Sequence, residues 1–351
     1  MKIGIMTWFY ADNYGARLHS YALQQVINNM GHECVMIAYY PKKLLSMNIR
    51  MNLNYKNRKK HPVLALKCLR RNIMFFHARK EMYRISKRVN NANDIDNLGL
   101  DVLILGSDEV FKVSHPFFDK LYYGVGVKTP KVTYAPSAGQ TSDDYMLPKE
   151  IVNAINNYSA LSVRDKHTYA LIKRSTGREA QIVLDPTFLF DFVDITQNIN
   201  CRNYILIYSF DTLDEYYSQI TEYANQQKLQ IICVGRYCKW ANRSYEYIDI
   251  KKWLGMFQNA TIVVTDSFHG TVFAIKNKKR FVLMGRSDKI NKINDLMSEC
   301  GVSLPFYNSD ISIEDYLKIP FSYSKITDLI ERKKETSLNY IKSSLDSIKG
   351  C

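Results

Sequence analysis

Val263-Val264-Thr265-Asp266-Ser267-Phe268-His269-Gly270-Thr271 is an apolar run that breaks into small and polar residues. The β-branched valines favour a buried strand, and Ser267 is of a type that starts helices. The stretch reads as strand, turn and helix, the repeating unit of an α/β sheet. The same unit opens the chain. Ile3 to Met6 reads as a buried strand and Trp8 to Gly15 as a loop. From Ala16, apolar residues recur at helical spacing (Leu18, Ala22, Leu23, Val26, Ile27, Met30) and end at Gly31. Cys34 to Ala38 is the next strand, and Pro41 closes the unit.

The pattern recurs downstream. Asp101 to Gly106, Lys131 to Ala135, Ala160 to Val163 and Ile182 to Leu184 all read as strands. Each runs into small and polar residues: Gly106-Ser107-Asp108-Glu109, Pro136-Ser137-Ala138-Gly139, Arg164-Asp165 and Asp185-Pro186-Thr187. In open parallel sheets, ligands bind outside the carboxyl ends of the strands, so these turns are the places to look for a site. After a break near Phe190 to Cys201, a second series of strands and helices starts at Tyr204. The fold class expected is α/β, with two Rossmann-like domains over residues 1–190 and 200–320 and a cleft between them. Residues 321–351 carry Ile326, Leu329, Ile330, Leu338, Ile341, Leu345 and Ile348, the stripe of an amphipathic helix.

The 351 residues are 46 % hydrophobic and 23 % charged, which excludes global disorder and coiled coil. No stretch approaches the roughly 18 apolar residues of a membrane span. The start lacks the apolar core and cleavage site of a signal peptide. Seven scattered cysteines without a Cys-x-x-Cys argue against a zinc knuckle or redox pair and fit a reducing cytoplasm. The net charge is +14. Between Lys42 and Arg88 there are 15 Lys and Arg against one acid, Glu81, so this segment carries the whole excess. Its second half, Pro62 to Val89, reads as helical, and the region at about 42–90 as a basic insertion in the first domain.

Several residues are candidates for chemistry. Backbone N–H groups at the start of the helix after Ser267 suit an anion. His269 there can donate to that anion or supply a proton near neutral pH, although Ser267 would serve equally as a plain cap and His269 as a space-filler. Arg164, at the end of a buried strand, is placed to grip a carboxylate or phosphate, or to pair with Asp165. Lys292, on the last helix of the second half, is by itself an ordinary surface lysine. The Asn13-Tyr14-Gly15 loop and the Gly106-Ser107-Asp108-Glu109 turn offer hydrogen bonds for a polyol. No dinucleotide or P-loop fingerprint and no metal cluster of useful spacing is present.

Taken in order, six motifs resemble the polysaccharide pyruvyl transferase family. They are Asn13-Tyr14-Gly15-Ala16 with Tyr21-Ala22-Leu23-Gln24, Gly106-Ser107-Asp108-Glu109-Val110-Phe111, Tyr134-Ala135-Pro136-Ser137-Ala138-Gly139, Ser162-Val163-Arg164-Asp165, Leu184-Asp185-Pro186-Thr187, and Thr265-Asp266-Ser267-Phe268-His269-Gly270. The resemblance covers most of residues 3–302. Glu109 and Phe111 depart from it, since the family commonly has Gln and Trp there. It implies a GT-B-like fold whose C-terminal helix packs back on the first domain. It also implies transfer of the pyruvyl group of phosphoenolpyruvate onto two sugar hydroxyls, giving a ketal and phosphate. It places the family's donor-binding arginine on Arg164, its essential histidine on His269 and a basic residue on Lys292, nine positions before Gly301.

On this reading His269 is the acid. Arg164, Lys292, Ser267, Gly270 and Thr271 bind the donor. Asp108 or Glu109 acts as base toward the acceptor, and Asn13, Tyr14, Gly15, Ser107 and Ser137 hold the acceptor sugar. Phosphoenolpyruvate is a substrate, and neither cofactor nor metal is expected. The acceptor could be carried on a polyprenyl diphosphate at the inner membrane face, in capsule or exopolysaccharide synthesis. Residues 42–88 would then dock on anionic lipid, and nucleic acid is not an expected partner. A GT-B glycosyltransferase using a nucleotide sugar and a non-catalytic sugar- or lipid-binding protein are the alternatives.

Overall fold

A computed structural model describes residues 1–41, 73, 76–211, 213–285 and 290–349. The chain forms two compact units, Met1–Phe190 with Lys333–Cys351, and Asp191–Arg332.

The first unit is built on β1 (Lys2–Met6), β2 (Glu33–Tyr39), β3 (Ile85–Val89), β4 (Val102–Leu105) and β5 (Lys131–Thr133). They lie in the order β3-β2-β1-β4-β5, all parallel. α1 (Tyr14–Asn29) is the crossover from β1 to β2. Its start is fixed by Asn13, whose Oδ1 accepts the Ala16 N–H at 3.0 Å. The Leu100 and Ile37 side-chain ends close over Gly4, at 2.6 and 2.7 Å from where a Cβ would stand, so the packing over the central strand uses the space a side chain would take. Two short strands, β6 (Ser162–Val163) and β7 (Gln181–Ile182), pair beyond β5, and a parallel bridge joins Val132 to Ala160.

The second unit repeats the topology. β8 (Tyr204–Tyr208), β9 (Gln230–Val234), β10 (Arg243–Tyr245), β11 (Ile262–Thr265) and β12 (Arg280–Leu283) run parallel in the order β10-β9-β8-β11-β12. Against it, Trp253 and Phe257 pack edge to face with Tyr208 at 5.1 and 5.9 Å, and Phe273 packs edge to face with Trp253 at 5.0 Å. Both units are therefore Rossmann-like, as the alternating pattern predicts.

In each sheet the chain reverses direction of winding between two central strands, β1 and β4 or β8 and β11. The carboxyl ends of these strands are where such sheets bind ligands. They carry Thr7 to Asn13 and Gly106 to Asp108 in the first unit, and Ser209 to Asp211 and Asp266 to His269 in the second.

One expectation is corrected. Pro62 to Val89 reads as helical in sequence, but Ile85–Val89 is a strand. Pairing with β2 decides it: Ser86 Oγ accepts the Ala38 N–H at 3.0 Å, and Ala38 and Tyr39 register with Arg88 and Val89. Cross-strand pairing overrides local propensity. Lys87 and Arg88 are exposed at this sheet edge, where charge discourages further pairing. Residues 42–72, 74 and 75 of the basic segment lie outside the described residues, Phe75, Met51 and Leu53 among them.

The tail forms one helix, Tyr323–Lys349. Within the first unit, its Ser337 Oγ accepts the Leu184 N–H at 3.0 Å and its Tyr340 hydroxyl donates to the Thr133 carbonyl at 2.9 Å.

Candidate functional site

At the end of β4 the backbone leaves ordinary geometry. Asp108 has φ 66° and Ala135, opposite it after β5, has φ 52°. Left-handed backbone at non-glycine residues costs energy and persists only where the surroundings impose it. Here the Ser137 N–H donates to the Asp108 carbonyl at 2.7 Å, and the Phe111 N–H to the Ser137 carbonyl at 3.1 Å. The two turns are thereby stitched together.

Asp108 is the centre of a charged cluster. Its Oδ1 lies 3.4 Å from both terminal nitrogens of Arg164, and Arg164 Nη1 lies 3.0 Å from Asp185 Oδ2. The Arg164 side chain is 3 % exposed, and burial alone would push its charge off. Asp108, Asp185 and then Asp165 outweigh that and hold the guanidinium above its ordinary range. On its other side, Asp108 Oδ2 lies 3.6 Å from His19 Nε2. The Nδ1 of the same ring is 2.6 Å from Ser107 Oγ. Glu109 turns away from this cluster toward Lys112, with Oε2 and Nζ 3.7 Å apart.

The loop after β1 is held just as firmly. Arg17 is fully buried, donating through Nε to the Ala11 carbonyl at 3.0 Å and through Nη2 to Asp12 at 3.2 Å. Burial draws its pKa down to about 10. Trp8 packs on His115, with ring centroids 4.3 Å apart, and edge-on against Phe117. His115 and Phe117 are half-buried.

In the second unit the helix Phe268–Lys276 follows β11 directly. Ser267 Oγ accepts the Gly270 N–H at 2.9 Å, and the Thr271 hydroxyl donates to the Ser267 carbonyl at 3.0 Å. A Cβ at Gly270 would lie 2.0 Å from Thr265 Oγ1 and 2.6 Å from Ser267 Oγ. This turn is packed so tightly that only glycine fits it. His269, 8 % exposed, sits in the first helical turn with its ring 5.2 Å from that of Phe268. The Lys292 ammonium lies 5.4 Å from the Phe268 ring centroid, over its face. A histidine, a lysine and a helix N-terminus are thus assembled in one place, an arrangement suited to an anion.

A family model for polysaccharide pyruvyl transferase matches residues 13–288. The chain belongs to the polysaccharide pyruvyl transferase family. No curated protein matches it in sequence. Among solved structures it is similar to MnaA of S. aureus, determined with UDP, at 10 % identity over 98 % of this chain and 97 % of that one, with a TM-score of 0.57. It is also similar to the UDP-GlcNAc 2-epimerase of Neisseria meningitidis bound to UDP-GlcNAc, at 9 % identity over 99 % and 100 %, with a TM-score of 0.53. At such identity the likeness shows the GT-B-like fold of two Rossmann-like domains and nothing of substrate.

The sequence-selected residues fall into two sets. Asn13, Tyr14, Gly15, Ser107, Asp108, Glu109, Ser137 and Arg164 belong to the first unit, and Ser267, His269, Gly270, Thr271 and Lys292 to the second. Several have a structural duty inside this transferase. Asn13 and Ser267 cap helices. Tyr14 is 4 % exposed, and Gly15 is buried with it in the first turn of α1. Ser107 and Ser137 are fully buried, and the Ser137 hydroxyl accepts the Gly139 N–H at 3.1 Å. His19 and the pairing of Asp185 with Arg164 escape a reading by motif. His19 betrays itself only as a histidine between Leu18 and Ser20 on the buried face of α1.

A cavity lies elsewhere in the second unit. It is an open cleft of about 480 Å³ lined by Asn198, Arg243, Tyr245, Tyr247 and Lys252 among others, and it contains none of the residues selected above. Among the described residues, no group of three or more His, Cys, Asp or Glu could hold a metal ion, and no helix is long and apolar enough to cross a membrane.

Proposed function

We propose that this chain is a phosphoenolpyruvate-dependent ketal transferase acting on a sugar diol. The placement of His269 and Lys292 around one helix N-terminus, in a chain of this family, carries the reading. A donor with a phosphate and a carboxylate needs cationic and N–H partners, and this helix start supplies both kinds. Lys292 is assigned to the donor, with Arg164 of the first unit as the family's second cation. Within the first unit Arg164 faces Asp108 and Asp185, the longer contact being that to Asp108.

His269 delivers a proton to carbon 3 of the enol, carbon 2 becomes electrophilic, and one sugar hydroxyl adds to it. The proton of that hydroxyl passes to a carboxylate, Asp108 or Glu109. The second hydroxyl then displaces phosphate from carbon 2 and closes the ketal, and its proton leaves with the phosphate. Hydrogen-bond donors aimed at the departing phosphate lower this barrier. The acceptor side is assigned to the first unit, to Asn13, Tyr14 and Gly15 after β1 and to Ser107 and Ser137 in the turns after β4 and β5, with half-buried aromatic rings beside Trp8. A polyprenyl-diphosphate-linked sugar, met at an anionic membrane surface through the basic segment, is the acceptor class we favour. Capsule or exopolysaccharide synthesis is the setting that uses such a step.

Purified protein incubated with phosphoenolpyruvate and a panel of lipid-linked and aryl hexosides should release phosphate and give one product heavier by a pyruvate ketal. Thermal stabilisation by phosphoenolpyruvate without product would keep the donor assignment and reject the acceptors tried. A nucleotide sugar that stabilises the protein while phosphoenolpyruvate does not would overturn the reading.

A further inference from the structure

Asp108, one of the two carboxylates assigned to the acceptor, has a buried neighbour with no part in the reaction. His19 is fully buried in α1, inside the helix that crosses from β1 to β2. Its ring faces the turn after β4 with both nitrogens: Nδ1 is hydrogen-bonded to Ser107 Oγ at 2.6 Å, and Nε2 lies 3.6 Å from Asp108 Oδ2, a close polar approach longer than a hydrogen bond. An ionised carboxylate can only accept, so the tautomer suited to Asp108 carries its proton on Nε2, from which a small rotation of the carboxylate would make the hydrogen bond. Nδ1 is then the acceptor, and the Ser107 hydroxyl donates to it. Ser107 is tethered in turn, its carbonyl accepting the Thr7 hydroxyl at 3.0 Å. Arg164 holds the other Asp108 oxygen. Asp108 is the member of this chain of contacts that reaches solvent, with its side chain 16 % exposed against 0 % for His19 and 3 % for Arg164.

We propose that His19 is a positioning residue that aims the Asp108 carboxylate at the acceptor hydroxyl, braced by Ser107 on its far side. The strained Asp108 backbone explains the need for it. Backbone held at φ 66° sets the direction of the Asp108 Cβ, and rotation of the carboxylate beyond it is left to its polar neighbours. Arg164 holds it from the end of β6 and His19, on α1, stands 3.6 Å from its other oxygen, so polar groups from two elements face the carboxylate. This inference rests on the ketal-transferase reading for its kinetic arm.

Two substitutions separate the two nitrogens. His19→Gln places an amide near the Nε2 position and keeps a donor for Asp108. His19→Asn places it near Nδ1 and keeps only the Ser107 contact. We expect His19→Asn to lower kcat by about 10- to 100-fold, the effect of one hydrogen bond to a charged group, with both KM values nearly unchanged. His19→Gln should retain most of the wild-type kcat. Equal losses in the two variants, or a KM effect without a kcat effect, would overturn the proposal. A second arm needs no turnover. In 15N-histidine-labelled protein, Ser107→Ala should shift Nδ1 of His19 and Asp108→Asn should shift Nε2. If neither nitrogen responds, His19 does not couple the two residues and the proposal fails. Wild-type protein without any ketal product would instead sink the functional reading, leaving the spectra to decide this one.

Discussion

Arg164 and Asp185 form a 3.0 Å ion pair with almost no exposure, 3 % and 1 % at the side chains. Asp185 has a second duty, since its Oδ1 accepts the Thr187 N–H at 3.0 Å and the Thr187 hydroxyl at 2.7 Å. One carboxylate therefore starts a helical turn and neutralises a buried cation. Asp185→Ala should cost about 3–5 kcal/mol, because it takes the closest carboxylate from a buried cation. Asp185→Asn keeps the cap geometry and should cost less. Urea unfolding of both variants checks the order, and an Asp185→Ala protein as stable as wild type would refute it.

Gly270→Ala tests the turn before His269. The added Cβ would meet Thr265 Oγ1 at 2.0 Å, and that oxygen is itself held by its 2.6 Å hydrogen bond to the Tyr208 carbonyl. The neighbour cannot yield cheaply. Overpacking of this kind costs about 1–3 kcal/mol. Thr265→Ser with Gly270→Ala leaves the same oxygen in place and should not rescue the loss. Thr265→Ala with Gly270→Ala removes it and should recover part. Melting temperatures of the three proteins decide the matter.

Much of this was readable from sequence. The apolar runs Val102-Leu103-Ile104-Leu105 and Ile262-Val263-Val264-Thr265 announce central strands because buried parallel strands are apolar on both faces. Ser267 announces a helix start by its chemistry. Ile85–Val89 does not announce itself, since its strand is made by pairing with β2 and its own residues are half polar. The site divides the same way. Arg164 and His269 stand out as charged or titratable residues at the ends of apolar runs. That Arg164 faces Asp108 and Asp185, 56 and 21 residues away, is set by the order of strands and has no local signature.

The buried tyrosines fix an alkaline limit. Burial raises Tyr122, Tyr123, Tyr134 and Tyr158 well above their ordinary value of 10.0. A folded pKa above the unfolded one means that the folded state holds its proton longer. The stability contributed is complete below about pH 10 and is lost as pH rises beyond it. Tyrosinate absorbance from these residues should therefore appear together with loss of structure, not before it. Ionisation of the full complement at alkaline pH with circular dichroism unchanged would contradict this.

The basic segment makes a prediction about membranes. Phe76 is 48 % exposed, with the Lys80 ammonium 4.9 Å above its ring. Each lysine or arginine near an anionic bilayer contributes about 1 kcal/mol, screened by salt. Protein should float with vesicles containing anionic lipid and not with neutral ones. Lys56, Arg58, Lys59 and Lys60 replaced by Glu should abolish flotation, as should high salt. Binding to neutral vesicles of equal strength would reject charge as the cause.

The assignments of His269 and Lys292 differ in what each should do to the kinetics. A proton donor acts on the transition state, so His269→Ala should lower kcat by roughly 10²–10⁴-fold with little change in donor KM. A cation that grips the ground-state donor acts on binding. Lys292→Met should raise the phosphoenolpyruvate KM by about 10- to 100-fold, the worth of one charge-assisted bond, and leave kcat closer to wild type. The Phe268 ring beneath Lys292 gives a second handle. Phe268→Leu removes the aromatic face that orients the ammonium and should raise the same KM more mildly. If His269→Ala retains near-normal kcat, the histidine leaves the mechanism. If Lys292→Met alters kcat alone, the lysine acts on the departing phosphate and not on the bound donor.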